Sequence, residues 1–412
     1  VDAVSARRVI DRAMRLPIAN LLAGRPVHAI AVGKAAAAMA SAFRAVYPLQ
    51  VQQALAIGTH THPDLPTAVE WIESSHPFPD ARSQVAGERA LALAQRVPAG
   101  DALVILLSGG ASALMAAPID GISLADKIAT TKLMMAAGAD IHALNTVRRH
   151  LSNVKGGRLA AACAGTTLTL AISDVVGDDL HAIGSGPGVP DATTWADAAA
   201  ALERFGGDLH LSEVRHVIAR GVAGAIPDTP KPGDGALERS HAMVIGSRLD
   251  AMDGAREAAI ARGYHPTVIA EPVTGEARDM APRWLAWVQE LTRGTPRPAC
   301  VISSGETTVR VTGQGRGGRN LEFALALAGS MVSPTAMAMA SVGTDGIDGS
   351  SGVAGGVVDS TTLQRASALN LDAPDKYLAA NDSLSFFAPL DDVVRLGRTD
   401  TNVGDLQVIL ID

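Results

Sequence analysis

The sequence predicts an α/β protein built on a mostly parallel sheet covered by helices on both faces. Three observations carry this. Short β-branched or Leu-rich runs repeatedly end in a Gly-containing turn that opens an Ala-rich helix. The chain is 47% hydrophobic but only 3% aromatic, so its core must be Ala, Val, Leu and Ile. Its 412 residues allow two domains at roughly 100–200 residues each.

VHAIAVGKAAAAMASAF (27–43) gives the first unit: Val27 to Val32 reads as a buried strand, Gly33 and Lys34 turn, and Ala35 opens a strong helix former. ALVILLSGGASALMAAP (102–118) repeats it with Ser-Gly-Gly-Ala-Ser at the turn. TLTLAISDVVGDD (167–179) is a buried strand ending in an acidic loop. HAMVIGSRLDAMDGAREAAIARGYHPTVIA (241–270) reads as strand, helix and strand. Ser247 caps its helix, Gly263 ends it, and Val268–Ala270 extends the returning strand. IPDTPKPGDGALERS (226–240) holds three prolines and two glycines that neither helix nor central strand tolerates. It divides the chain into domains at 1–232 and 233–412, both α/β.

Lys+Arg 35 against Asp+Glu 42 gives a net charge of −7, which does not suit a general nucleic-acid or anionic-membrane binder. Scarce aromatic rings remove the stacking surfaces of single-strand binding. No run of 18 or more uncharged apolar residues marks a membrane span. Cys163 and Cys300 form no C-x-x-C pair and read as reduced core thiols. A cytoplasmic protein is expected, with a homodimer held open.

Six segments carry chemistry. In LLSGGASALM (106–115), Gly109 and Gly110 let the backbone approach an anion, and Ser108 and Ser112 add hydroxyls. A tight strand–helix turn needs the same glycines. In IAVGKAAAA (30–38), Lys34 at the mouth of such a turn suits phosphate or carboxylate, although an exposed lysine with no partner is the commoner case. The segment is not a Walker A loop, because His28 stands where its first glycine belongs. NTVRRHLSNVKGGRLA (145–160) gathers Arg148, Arg149, His150, Lys155 and Arg158, either as a solvated face or as an anion site. AISDVVGDDLHAIGSGP (171–187) places Asp174, Asp178 and Asp179 after a buried strand, as caps or as Mg²⁺ ligands. SSGETTVRVTGQGRGGRNLEFALALA (303–328) places Glu306 after a strand at Cys300–Ser303, with a second strand at Thr308–Thr312. A loop follows in which Gly313, Gly315 and Gly318 accompany Arg316 and Arg319, a clamp for phosphate or carboxylate. SVGTDGIDGSSGVAGGVVD (341–359) interleaves Asp345 and Asp348 with glycine, as ligands or as Asp-Gly turns. Residues 303–359 hold 12 of the 41 glycines.

Ten blocks in order resemble one family: VGKAA (32–36), SHPFPD (75–80), LLSGGASAL (106–114), NTVRRHLSNVKGGRLA (145–160), SDVVGDDLHAIGSGPGVPD (173–191), SSGETTV (303–309), GGRNLEFAL (317–325), GTDGIDG (343–349), NDSLSFF (381–387) and TNVGDL (401–406). They are similar to glycerate 2-kinases with a MOFRL C-terminal domain, some of which carry an older label of hydroxypyruvate reductase. The resemblance implies a large Rossmann-like, three-layer N-terminal domain and a smaller α/β domain with its MOFRL region at about 300–406. It implies ATP- and Mg²⁺-dependent phosphorylation of D-glycerate to 2-phosphoglycerate in the cleft between them. It carries active-site roles to Lys34 and Arg319. The sequence departs from the family at Ser350-Ser351-Gly352-Val353, where a carboxylate is missing, at GRTDTNVGD (397–405), and at Leu384.

Phosphoryl transfer asks for positioning and positive charge around oxygens. Lys34 and Arg319 are expected to neutralise charge, and Asp174 to orient or deprotonate the acceptor hydroxyl. Asp174, Asp178 and Glu306 are the expected metal ligands. Ser108, Gly109, Gly110, Ser112, Lys155, Gly315, Arg316, Gly318 and Asp345 are expected to hold the nucleotide. A rival reading is an NAD(P)-dependent hydroxypyruvate reductase using Gly313–Gly318. The acidic ribose partner it needs is absent from MVSPTAMAMASVG (331–343). A small-anion sensor is the third reading.

Overall fold

The computed structural model describes residues 1–331 and 336–412, so part of the 331–343 stretch lies outside the described residues. The chain divides into two compact units, Ala6–Ile245 and Val1–Ser5 with Gly246–Asp412.

In the Ala6–Ile245 unit, β1 (Val27–Val32), β2 (Val51–Gly58), β3 (Val69–Glu73), β4 (Ala102–Leu107), β5 (Thr166–Ile172) and β6 (Ser240–Gly246) form one sheet in the order β3-β2-β1-β4-β5-β6. The pairs β1–β2, β2–β3, β1–β4 and β4–β5 are parallel. This is the Rossmann order. The register pairs Val32 with Leu107, so the turns after β1 and β4 emerge side by side.

Every residue of β1, β4 and β5 is buried, which explains why they read as continuous apolar runs rather than alternating ones. Ile30, Ile57, Leu103, Ile105 and Leu114 are at or near zero exposure in this core. Each such side chain contributes about 1.5–3 kcal/mol by burial. The helix Ala81–Arg96 covers the sheet and starts at a capping box: Asp80 accepts the Ser83 N–H, and Ser83 Oγ accepts the Asp80 N–H. A second apolar cluster joins Met134, Leu144, Val147, Trp195 and Val217 on four further helices. The Pro-rich 226–240 segment packs on this unit through Asp191 N–H to Pro230 O (2.8 Å), and β6 then joins the sheet.

The Gly246–Asp412 unit has a mixed sheet. Its strands are β7 (His265–Val268), β8 (Val273–Glu276), β9 (Ala299–Thr308), β10 (Met337–Gly343), β11 (Gly355–Asp359), β12 (Val393–Val394) and β13 (Asp405–Ile411). Their order is β12-β11-β10-β13-β9-β7, with β8 also on β9. Antiparallel pairs dominate, and among the described residues β7–β9 and β8–β9 are the parallel ones. Two strand expectations are corrected here. Residues 299–308 form one strand, and 309–312 form none. Pairing of Gly305–Thr308 with β8 extends β9 past Glu306. The returning strand ends at Val268 rather than running to Ala270. Ser247 caps the helix Arg248–Ile260, and Gly263 turns the chain at φ +82°.

Trp284 anchors this core. It meets Phe323 edge-on at 5.6 Å and donates Nε1–H to Ser303 Oγ at 2.8 Å. Ser303 in turn donates to Gln407 Oε1 at 3.1 Å, so the buried polar atoms are satisfied. Cys163 and Cys300 are buried free thiols, each in a different unit. Among the described residues, no helix is long and apolar enough to cross a membrane.

Candidate active site

The strand order of the first sheet reverses between β1 and β4. Open α/β sheets bind their ligands at such a point, outside the carboxyl ends of the strands. Lys34 follows β1, and Ser108 to Ser112 follow β4. The two turns interlock. The Ser108 N–H donates to Val32 O at 3.0 Å, and the Lys34 N–H donates to Gly109 O at 2.8 Å. The Ala35 N–H donates to Ser108 Oγ at 3.0 Å. Gly33 permits the fit: its φ is +131°, and a Cβ there would stand 2.1 Å from Ser108 Oγ. Lys34 is half-buried and has partners, unlike an idle surface lysine.

His76 joins this cluster. A Cβ on Gly110 would lie 3.0 Å from its Cδ2. Desolvation and then the Lys34 ammonium lower its pKa from the ordinary value. Ser112 and Lys155 meet through neighbouring residues. Ser112 Oγ lies 2.8 Å from Ser185 Oγ, which donates to Asn145 Oδ1 at 3.0 Å. Lys155 is buried and donates Nζ–H to Gly184 O at 3.2 Å. Asp174 and Asp178 sit half-buried in the loop after β5.

Elsewhere in this unit several cations are buried close together. Lys127, on the helix Leu124–Ala136, is buried, and its Nζ has no hydrogen-bond partner among the described residues. Burial, then Arg148 and Arg158, push it from 10.5 down to about 7. Burial, with Lys127 and Arg148 adding, holds Lys155 well below its ordinary value. Between about pH 7 and pH 10.5 the unfolded chain therefore binds more protons at Lys127 than the folded one, so stability at this site rises with pH across that window. Lys127→Met is expected to raise the unfolding free energy at pH 7 by on the order of a few kcal/mol and to flatten the rise toward pH 10. Urea unfolding of both proteins at the two pH values checks this.

In the other unit, Arg319 begins the helix Arg319–Leu327. Its Nη1–H donates to Glu306 Oε1 at 2.7 Å, and its Nε lies 2.7 Å from Oδ2 of buried Asp405. Burial alone would lower the Arg319 pKa, but Asp405 and Glu306 together raise it above its ordinary value. Burial pushes the Asp405 carboxyl up to about 7, against the pull of Arg319 and Asn320.

The glycine-rich loop is packed rather than open. The Gly313 N–H donates to Asn381 Oδ1, the Gly315 N–H to Ala380 O, and the Arg316 N–H to Asp382 Oδ1. A Cβ on Gly315 would lie 2.3 Å from that of Asp382, and one on Gly318 2.3 Å from Asp348 Cγ. Asp348 caps the helix by accepting the Asn320 and Leu321 N–H groups at 3.0 and 2.8 Å. Arg316 is exposed and reaches Ser351 O at 3.4 Å. Asp345 accepts the Ile347 N–H at 3.2 Å. Among the described residues, no group of three or more His, Cys, Asp and Glu side chains could hold a metal ion.

The structure thus joins Lys34 with Ser108, Gly109 and Gly110, and Arg319 with Glu306. His76 and Asp405 lie inside recognised blocks, but only three-dimensional neighbours reveal their place.

Residues 1–219 match a family described as a domain of unknown function (DUF4147), and residues 299–405 match the MOFRL family. A glycerate 2-kinase of Pyrococcus horikoshii is 37% identical over 93% of this chain and 87% of its own. The chain belongs to the glycerate kinase family. A crystal structure of glycerate kinase from Thermotoga maritima covers 100% of this chain and 96% of its own, with TM-score 0.88 and 34% identity. A protein of Agrobacterium vitis named "Putative hydroxypyruvate reductase" is 38% identical over 98% of this chain and 93% of its own. The older label and the kinase name therefore meet in one family.

Proposed function

We propose that this member of the glycerate kinase family transfers the terminal phosphoryl group of ATP to the 2-hydroxyl of D-glycerate. The observation that carries the reading is the interlocked pair of turns where the strand order reverses, with Lys34 in one and Ser108–Ser112 in the other. Glycine lets the two turns pack closely against each other there, and the cationic Lys34 stands in one of them. Catalysis of this reaction is mainly positioning and charge neutralisation.

In the step proposed, the 2-hydroxyl oxygen bonds to the γ-phosphorus as the bond to the β–γ bridging oxygen breaks. Asp174 orients the hydroxyl and takes its proton. Lys34 and Arg319 neutralise charge on the transferring phosphoryl group or the glycerate carboxylate. Ser108, Gly109, Gly110 and Ser112 hold phosphate oxygens. Lys155, the remaining residue expected to hold the nucleotide, is buried with its Nζ–H donated to Gly184 O. Arg316 and Asp345 belong to the proposed nucleotide-holding set, whereas Gly315 and Gly318, expected there, serve the close packing of the loop.

Mg²⁺ is commonly held by one or two carboxylates plus substrate phosphates, a donor set that Asp174 and Asp178 match in type. When bound, the ion neutralises phosphate charge. Glu306, the third expected ligand, already pairs with Arg319.

Purified protein with D-glycerate, ATP and Mg²⁺ is expected to release ADP only when all three are present. The same preparation is expected not to oxidise NADH with hydroxypyruvate. NADH oxidation without glycerate-dependent ADP release would replace the kinase reading with the reductase.

A further inference from the structure

Arg319 carries five N–H donors in a fixed planar fork. Two of its three nitrogens are held: Nε lies 2.7 Å from Asp405 Oδ2, and Nη1 donates to Glu306 Oε1 at 2.7 Å. Among the described residues, Nη2 has no hydrogen-bond partner, and the side chain is 31% exposed. The two holders differ. Glu306 is exposed at the end of β9, whereas Asp405 is wholly buried at the start of β13.

Asp405 is itself fixed. Antiparallel pairing sets it opposite Gly305, beside Glu306. Its Oδ1 accepts Asn320 Nδ2–H at 2.9 Å, and Asn320 Oδ1 accepts the Ser341 hydroxyl at 2.7 Å. Asn320 is also within reach of Asp348, the carboxylate that caps the helix Arg319 begins. One buried network therefore ties the start of the Arg319 helix to the carboxylate that ion-pairs with its guanidinium. Burying a carboxylate this deeply is costly unless it is paired, and Asp405 is paired with Arg319 and Asn320.

We infer that Asp405 is a positioning residue for phosphoryl transfer: it fixes the Arg319 guanidinium so that the Nη2 donors face an incoming oxyanion. The inference rests on the reading that Arg319 serves the kinase reaction. Glu306 acts as the exposed, exchangeable holder and Asp405 as the permanent one. A guanidinium freed from Asp405 keeps its charge but loses its aim, and misplacement by about 1 Å can cost roughly 10²-fold.

A double-mutant cycle tests this on the full chain with D-glycerate and ATP. Arg319→Ala is expected to lower kcat/KM by at least about 10²-fold. Asp405→Asn, nearly isosteric, is expected to lower it by roughly 10- to 10²-fold. In the Arg319→Ala background the same Asp405→Asn change is expected to cost less than about 2-fold, because its effect runs through the missing guanidinium. Circular dichroism and Tm report folding of each variant. If Asp405→Asn does not fold, Asp405→Ala is assayed with added formate, which restores a carboxylate to Arg319. Recovery that requires Arg319 supports the inference, and no recovery in folded protein overturns it. Equal losses from Asp405→Asn in both backgrounds, or wild-type activity for Asp405→Asn, overturn the positioning role alone. Wild-type activity for Arg319→Ala overturns the reading of Arg319 and the inference together.

Discussion

Replacing Lys34 with alanine lowers kcat for glycerate phosphorylation by on the order of 10²–10³, with little change in unfolding free energy. The expectation follows from placement. Lys34 leaves β1 at the point where the strand order reverses, and its own N–H is tied to Gly109 O at 2.8 Å. Its half-buried ammonium is close enough to lower the pKa of His76. Charge that develops on phosphoryl oxygens in a water-poor site is stabilised far more by such a group than it would be in bulk water. Steady-state kinetics with both substrates varied, together with urea unfolding, separates the two effects. A Lys34→Ala protein with unchanged kcat would remove this turn from the chemistry. A large loss of stability would make the lysine structural.

Gly33→Ala is expected to damage both fold and activity. The added Cβ would stand 2.1 Å from Ser108 Oγ and 2.5 Å from Ser108 O, and the second of these is backbone that cannot swing away. The φ of +131° adds strain for any L side chain. Overpacking of this kind with the added backbone strain costs roughly 2–5 kcal/mol. Relief requires the turns after β1 and β4 to separate, which breaks the Lys34–Gly109 and Ala35–Ser108 hydrogen bonds. Lower unfolding free energy and a large fall in kcat should therefore appear together. An alanine variant with wild-type stability and turnover would show that the interlock is not needed.

The parts of this molecule that read directly from sequence are those fixed by local pattern. Val27–Val32 and Ala102–Leu107 are strands with the residues expected, because strands buried on both faces are continuous apolar runs. Ser247 is the helix cap its neighbours imply. Lys34 and Ser108 were identifiable as turn residues, since glycine and a helix-forming run follow a strand in each case. Their interlock was not, because it depends on β1 and β4 being neighbours across a long stretch of chain.

The C-terminal half was harder. The 299–308 strand is longer than its apolar run, because its polar second half is held by β8. Local sequence carries no sign of that partner. The glycines of the 313–318 loop suggested backbone open to an anion. The Gly313 and Gly315 N–H groups are instead satisfied by Asn381 and Ala380, that of Arg316 by Asp382, and the missing glycine side chains allow that close packing. Asp405 is distant in sequence from Arg319 and Asn320, and only β13–β9 pairing brings them together. Lys127 sits in a helix whose apolar and polar residues alternate without a clear stripe, so its burial was not legible.

The phosphorylated position on the product is the decisive measurement. Proton-coupled ³¹P NMR of the reaction of D-glycerate, ATP and Mg²⁺ with this protein should show a new phosphomonoester signal split into a doublet by the single proton on C2. A triplet, from the two protons on C3, would contradict 2-phosphorylation. No phosphomonoester signal, with hydroxypyruvate-dependent loss of NADH in the same preparation, would contradict phosphoryl transfer altogether.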